Sequence, residues 1–299
     1  MKKYPMRLVP QERCAIWGRE LWLVSAHPAQ PSVVQNGLYA GRTLPSLVSE
    51  FGTELCGTRW PGGFPLLTKI IEARDRLSLQ VHPNEETSKI CGGDPKTEMW
   101  HVLDAGSGAC VFAGFSKATS RDDLARSLHD GTAEDIVKRL DVRRGDTLFI
   151  PGGLVHAIGG GCRLYEVQQT SDTTWRLHDW NRTDPATGRP RKTNEREGLD
   201  SIDWSLPPPE LIHSGDAAQS TPVDCAYFRF SVLNISDVLP LPGRTESFRI
   251  LFANGGRCAI AADGCEPVVL SGDESALLPA GMSCEIVPDG TAQVLVAET

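Results

Sequence analysis

Gly145-Asp-Thr-Leu-Phe-Ile-Pro151-Gly-Gly153-Leu-Val-His156 is the stretch on which the reading of the fold turns. Thr147 to Ile150 is a short apolar run closed off by glycine and proline, the pattern of a strand between turns. The glycines and the proline shape a turn that aims the His156 imidazole inward. Upstream lie two companions, Leu77-Ser78-Leu-Gln80-Val-His82-Pro and Lys96-Thr-Glu98-Met-Trp100. Gln80 and His82 stand two apart on a predicted strand, so their side chains share one face with Ser78 beside them. Glu98 opens the next strand after a Gly-Gly-Asp-Pro loop. Two imidazoles, a carboxylate and an amide oxygen are the ligand mixture of a zinc site that keeps one position open for chemistry.

The rest of the chain supports a mainly β fold. Short apolar runs such as Pro65–Ile71, Trp100–Leu103 and Cys110–Phe112 alternate with turn signals supplied by 29 glycines and 21 prolines. That punctuation predicts a sandwich or barrel, best fitted by a jelly roll. One helical island interrupts it. Ser120 is placed to cap a helix with acids in its first turn and Gly131 to stop it, and residues 133–140 follow with Ile136, Val137 and Leu140 on one face. The expectation is a helical hairpin over about 118–140. Residues 44–50 suggest a shorter helix, and 180–220, polar and Pro-rich, read as long loops. From Tyr227 to Val296 strand-like alternation resumes without a single histidine. The domains expected are therefore a catalytic one over 1–215 and a smaller β domain over 216–299 without metal ligands.

Composition excludes several classes. With 299 residues the chain can bury a large core. A formal net charge of -8 gives no basic field for nucleic acid. No run of about 18 apolar residues spans a membrane, and the charged N-terminus lacks the apolar stretch of a signal peptide. Nine cysteines without Cys-x-x-Cys spacing read as reduced, inert thiols of a cytoplasmic protein. No Walker or Rossmann glycine pattern is present, so no nucleotide is expected.

These motifs resemble the two sequence motifs of the cupin superfamily. Gly145, Pro151, Gly153 and His156 fall at the spacing of the second motif. The first departs, with Gln80 where many cupins have His and a long interval from His82 to Glu98. Gln-Val-His-Pro, Lys-x-Glu-x-Trp and Gly-x-x-His-Ala, followed by Glu166-Val-Gln-Gln-Thr-Ser-Asp-Thr-Thr-Trp-Arg176-Leu-His-Asp-Trp-Asn-Arg182, are similar to the type I mannose-6-phosphate isomerases in their short bacterial form. The resemblance implies a cupin-type jelly roll with a second, cupin-like C-terminal β domain. It implies one Zn2+ per chain held by Gln80, His82, Glu98 and His156, with Arg176 in the active site and Ser78 and Lys96 at the substrate phosphate. A small sugar phosphate is then the expected partner, with a monomer or homodimer as the assembly.

Interconverting an aldose and a ketose phosphate moves a proton between C1 and C2 through a cis-enediol, whose developing charge a Lewis acid or fixed cation stabilises. Arg176 keeps its proton, so it suits that electrostatic role and not that of base. For the base, Glu166 and a metal-bound hydroxide both stay open. Taken alone, His82 or His156 would more often be an ordinary histidine, and Arg176 a surface ion-pair partner; their joint pattern carries the reading. Two rivals accompany it: an iron-dependent cupin oxygenase using a similar ligand set, and a sugar-phosphate-binding cupin without catalysis.

Overall fold

The computed structural model describes residues 1–185 and 187–299. Two compact units emerge, and they are interleaved in sequence. One comprises residues 1–11, 21–69 and 213–299, the other residues 12–20 and 70–212. Residues 213–299 fall together in one unit, and the N-terminal third is shared between the two. The reason lies in strand pairing. Met6 sits opposite Leu277 and Leu8 opposite Val34, so the first strand joins the N-terminal strand Val33–Val34 to strands from the C-terminal third.

The unit holding the C-terminus is a β sandwich. One sheet orders its strands Gln219–Asp224, Arg229–Ile235, Ala292–Glu298, Arg249–Gly255, Ser275–Leu278, Met6–Val9 and Val33–Val34. The other runs Leu239–Leu241, Cys284–Pro288, Arg257–Ala261, Val268–Ser271. Leu251, Leu278, Ile260, Ile286 and Val294 fill the space between them, the alternate residues of period-2 strands. The helix expected over 44–50 is present as Leu44–Phe51, capped by the Thr43 hydroxyl.

The second unit is the one that matters for chemistry. Its smaller sheet runs Val137–Asp141, Cys110–Phe115, His156–Ile158, Leu79–Val81, Trp175–His178. Its larger sheet runs Ile212–His213, Asp146–Ile150, Glu98–Ala105, Cys162–Gln169 and on to Leu66–Ala73, Gly18–Val24 and Gln11–Ala15, of which residues 212, 70–73, 18–20 and 12–15 and the whole of the second, third and fourth strands belong to this unit. Alternation decides which side chains look inward. Leu79, Val81, Phe112, Ala157 and Leu177 pack outward against Leu124 and Leu128 of the Arg121–Asp130 helix and Leu199 of the Glu195–Ser201 helix. Val111, Ala113 and Ile158 point the other way and meet Trp100, Val102 and Leu148 of the larger sheet. Gln80, His156 and Arg176, one position off the outward set, are thereby turned into the sandwich.

Two local expectations are corrected. The helix at Arg121–Asp130 has its capping box, Ser120 accepting from the Asp123 N–H while Asp123 accepts from that of Ser120, and Gly131 closes it in the left-handed region. The second half of the expected hairpin is not a helix. After one turn at Ala133–Asp135 the chain becomes the strand Val137–Asp141, pairing Leu140 with Val111 and Arg139 with Phe112. The exposed edge of Cys110–Phe115 needs backbone partners, and the β-branched Ile136-Val137 pair suits a strand. Within 180–220, read as loops, the chain forms a ribbon of Thr183–Asp184 against Arg189–Pro190 and the helix Glu195–Ser201; Ala186, inside that stretch, lies outside the described residues.

Candidate active site and metal centre

Three cross-strand neighbours begin the site. On the smaller sheet His156 lies opposite Gln80, and Gln80 opposite Arg176, so these inward side chains form a row across three strands. Glu98, at the start of its strand in the larger sheet, is opposite Ile150 and Gln168. The turn after Ile150 delivers His156 to the row. Gly153 adopts a φ of +93° and donates its N–H to the His82 carbonyl at 2.7 Å, while its own carbonyl receives the Asp203 N–H at 3.0 Å. A β-carbon there would stand 2.8 Å from Asp203 Cβ and 3.0 Å from its nitrogen, which is why the position requires glycine.

Second-neighbour hydrogen bonds orient both imidazoles. His82 Nδ1 is 2.8 Å from the Thr173 carbonyl and His156 Nδ1 is 2.8 Å from the Leu154 carbonyl. A carbonyl oxygen only accepts, so each Nδ1 carries the proton and each Nε2 is left with a lone pair facing inward. His82 Nε2 lies 3.4 Å from Glu98 Oε2 and His156 Nε2 lies 3.5 Å from Glu98 Oε1. The candidate ligand atoms of the three residues all fall within 4.8 Å of one another, and all three side chains are buried. Burial pushes His82 down to about 3 and also lowers His156, so both rings are neutral at physiological pH. Burial raises the Glu98 carboxyl, but the Lys96 ammonium together with the His82 and His156 rings outweighs it, and the group is held well below the usual carboxylate range.

The cluster fits a divalent cation on its own chemistry. Two neutral imidazole nitrogens and an ionised carboxylate converge, and among the described residues Glu98 Oε1 accepts no hydrogen bond while Oε2 faces the Lys96 ammonium. Gln80 adjoins them with its amide Nε2, 3.3 Å from His156 Nε2, and its Oε1 accepts from the Ser78 hydroxyl at 3.3 Å. A cation would take the amide oxygen, so Gln80 could join the three only with its amide turned the other way.

The remaining sequence-predicted residues are distributed around this centre. Lys96 is drawn into the cluster itself, its Nζ 2.9 Å from Glu98 Oε2 and 3.1 Å from His82 Nε2. Ser78 is buried and engages Gln80. Glu166 is buried opposite Trp100 and accepts that indole N–H at 2.9 Å; Trp100 in turn meets the His156 ring edge-on at 5.4 Å between centroids. Glu166 is thus one aromatic ring removed from the imidazole. Arg176 donates from Nη1 to the Lys192 carbonyl at 2.8 Å, and burial, then Arg191, lower its guanidinium from the usual value.

Sequence reasoning passed over several parts. The Thr173 and Leu154 carbonyls that set the tautomers carry no side-chain signal. Asp179, buried, receives Arg182 Nη2 at 2.6 Å and Arg191 Nη1 at 3.2 Å, gathering charge beside Arg176. Its signal was the density of basic residues between 176 and 192, within a stretch read as loop.

A β sandwich with this donor set at its inner face defines the chain as a cupin with the makings of a divalent-metal site. The catalytic-domain model of type I phosphomannose isomerase matches residues 11–103. The mannose-6-phosphate isomerase ManA of Bacillus subtilis is 35% identical over 295 residues, covering 97% of this chain and 90% of the relative. A mannose-6-phosphate isomerase of Streptococcus mutans is 39% identical over 189 residues, covering 63% of this chain and 59% of its own length. In three dimensions the crystal structure of the Bacillus subtilis mannose 6-phosphate isomerase superimposes with a TM-score of 0.84 at 26% identity, covering 99% of each chain. The chain belongs to the type I phosphomannose isomerase family, and it is an enzyme.

Proposed function

We propose that this enzyme interconverts mannose 6-phosphate and fructose 6-phosphate with one zinc ion held by Gln80, His82, Glu98 and His156. The observation that carries the reading is the convergence of the His82 and His156 Nε2 atoms on the buried Glu98 carboxylate, all within 4.8 Å of one another. Bound there, zinc would supply Lewis-acid stabilisation of charge developing on the sugar oxygens. The chain's own residues do the rest. Arg176, beside Gln80 in register and permanently cationic, stabilises the negative charge of the cis-enediol from the same inner face. Glu166 is the side-chain candidate for carrying the proton between C1 and C2, and Trp100 holds its Oε2. Ser78 and Lys96 are assigned to the substrate phosphate, which requires Lys96 to leave Glu98. Residues 70–212 make up most of the catalytic unit in this reading. Among the described residues no helix is long and apolar enough to cross a membrane.

Metal analysis coupled to turnover on mannose 6-phosphate tests the proposal. Stoichiometric zinc, with activity lost to a chelator and regained on zinc addition, is the expected result. Iron with oxygen uptake would install the oxygenase instead, and tight sugar-phosphate binding without turnover would make the protein a sensor. His156→Ala should lose the metal, while Arg176→Ala should keep it and lose at least about 100-fold in kcat, the scale of one electrostatic donor. A fully active Arg176→Ala enzyme would remove Arg176 from its role.

A further inference from the structure

Lys96 competes for the atoms that the metal needs. Its ammonium lies 2.9 Å from Glu98 Oε2 and 3.1 Å from His82 Nε2, with 6% of the side chain exposed. His82 Nε2 has one lone pair, because Nδ1 donates to Thr173. That lone pair serves either the ammonium or a metal ion. The same holds for Glu98 Oε2, whose charge the ammonium balances.

We propose that Lys96 is a built-in counter-cation that holds the metal-free pocket and that an incoming divalent ion must displace, so that this side chain sets the metal affinity of the site. The proposal rests on the reading of the cluster as a metal centre. Without Lys96 the metal-free protein would bury the Glu98 carboxylate beside two neutral imidazoles only, a costly arrangement. With it, the pocket forms before the ion arrives, and the ion's gain is reduced by the ammonium it dislodges. The backbone of Lys96 is fixed by donation of its N–H to the Pro83 carbonyl at 2.9 Å, so displacement asks only for side-chain rotation. Once displaced, the ammonium is available to an anionic group of the substrate.

The test replaces the ammonium by a side chain of similar length without charge, Lys96→Met, and measures zinc binding by chelator competition, independently of turnover. The variant should bind zinc at least ~10-fold more tightly than the wild type, because two cations no longer contend across a dry pocket. Its metal-free form should unfold at lower denaturant concentration. If the metal-free variant does not stay folded, the rate of zinc loss from the loaded protein into excess chelator gives the same information and should be slower. Equal or weaker zinc affinity together with unchanged or faster zinc loss would overturn the proposal. A wild-type protein that takes up no divalent metal would instead bring down the metal-centre reading itself; His156→Ala, expected to lose zinc, separates specific from stray binding.

Discussion

At the scale of single residues the centre is governed by two buried charges and two buried neutral rings. Glu98 and Lys96 are 1% and 6% exposed, and they form an ion pair at 2.9 Å. Removing one partner of such a pair leaves the other stranded, typically at a cost of about 3–5 kcal/mol. Glu98→Gln should lower metal-free stability by that order in urea unfolding, and Glu98→Gln combined with Lys96→Met should recover most of it. A double variant as unstable as the sum of the singles would mean that the two charges are not coupled. The histidines add a pH dependence. His82 is depressed from 6.5 to about 3 in the folded protein, so between those values the unfolded chain binds a proton that the native one refuses. Stability of the metal-free protein is therefore fully present above about pH 6.5 and drains away as pH falls toward 3, with His156 and Glu98 acting in the same direction. Denaturant midpoints from pH 7 to 4 should decline, and a flat profile would show the rings to titrate as they do in the unfolded chain. The candidate ligands were legible in sequence because a strand's two-residue period places Gln80 and His82 on one face. The tautomers were not, since they depend on the carbonyls of Thr173 and Leu154.

Elements aim these residues, and here the turn before His156 is decisive. Gly153 combines a φ of +93° with backbone contacts that leave no room for a β-carbon, whereas Gly41, at +84°, has nothing within 4 Å. Gly41→Ala should cost only the left-handed penalty of about 1–2 kcal/mol. Gly153→Ala must also push Asp203 away, so it should cost more and reduce zinc occupancy. Thermal melts and metal content of the two variants check this; equal losses with full metal content would separate the turn from the aim of His156. The glycine and proline frame was readable because such geometry admits few residues. The Val137–Asp141 strand was not, because Ile136, Val137 and Leu140 fit an apolar helical stripe as well as an edge strand. What decides between them is the open backbone edge of Cys110–Phe115, which becomes visible only when that sheet is assembled.

For the whole molecule, composition revealed the class of fold but not its division into units. The pairing of Met6 with Leu277 joins residues 271 positions apart, a relation that no local period encodes. The division has a thermodynamic consequence. Every candidate ligand falls within residues 70–212, so metal binding stabilises that unit directly. An ion at a free concentration a thousand times its Kd adds about 4 kcal/mol to the state that binds it. Amide hydrogen exchange with and without zinc reads where that free energy goes. Protection should rise in Leu79–Val81, Glu98–Ala105 and His156–Ile158 and much less in Arg229–Ile235 and Ala292–Glu298, which carry no ligand. An equal rise in all five strands would show that the two units open as one cooperative body, and a rise confined to the last two would place the metal somewhere other than the His82, Glu98 and His156 cluster.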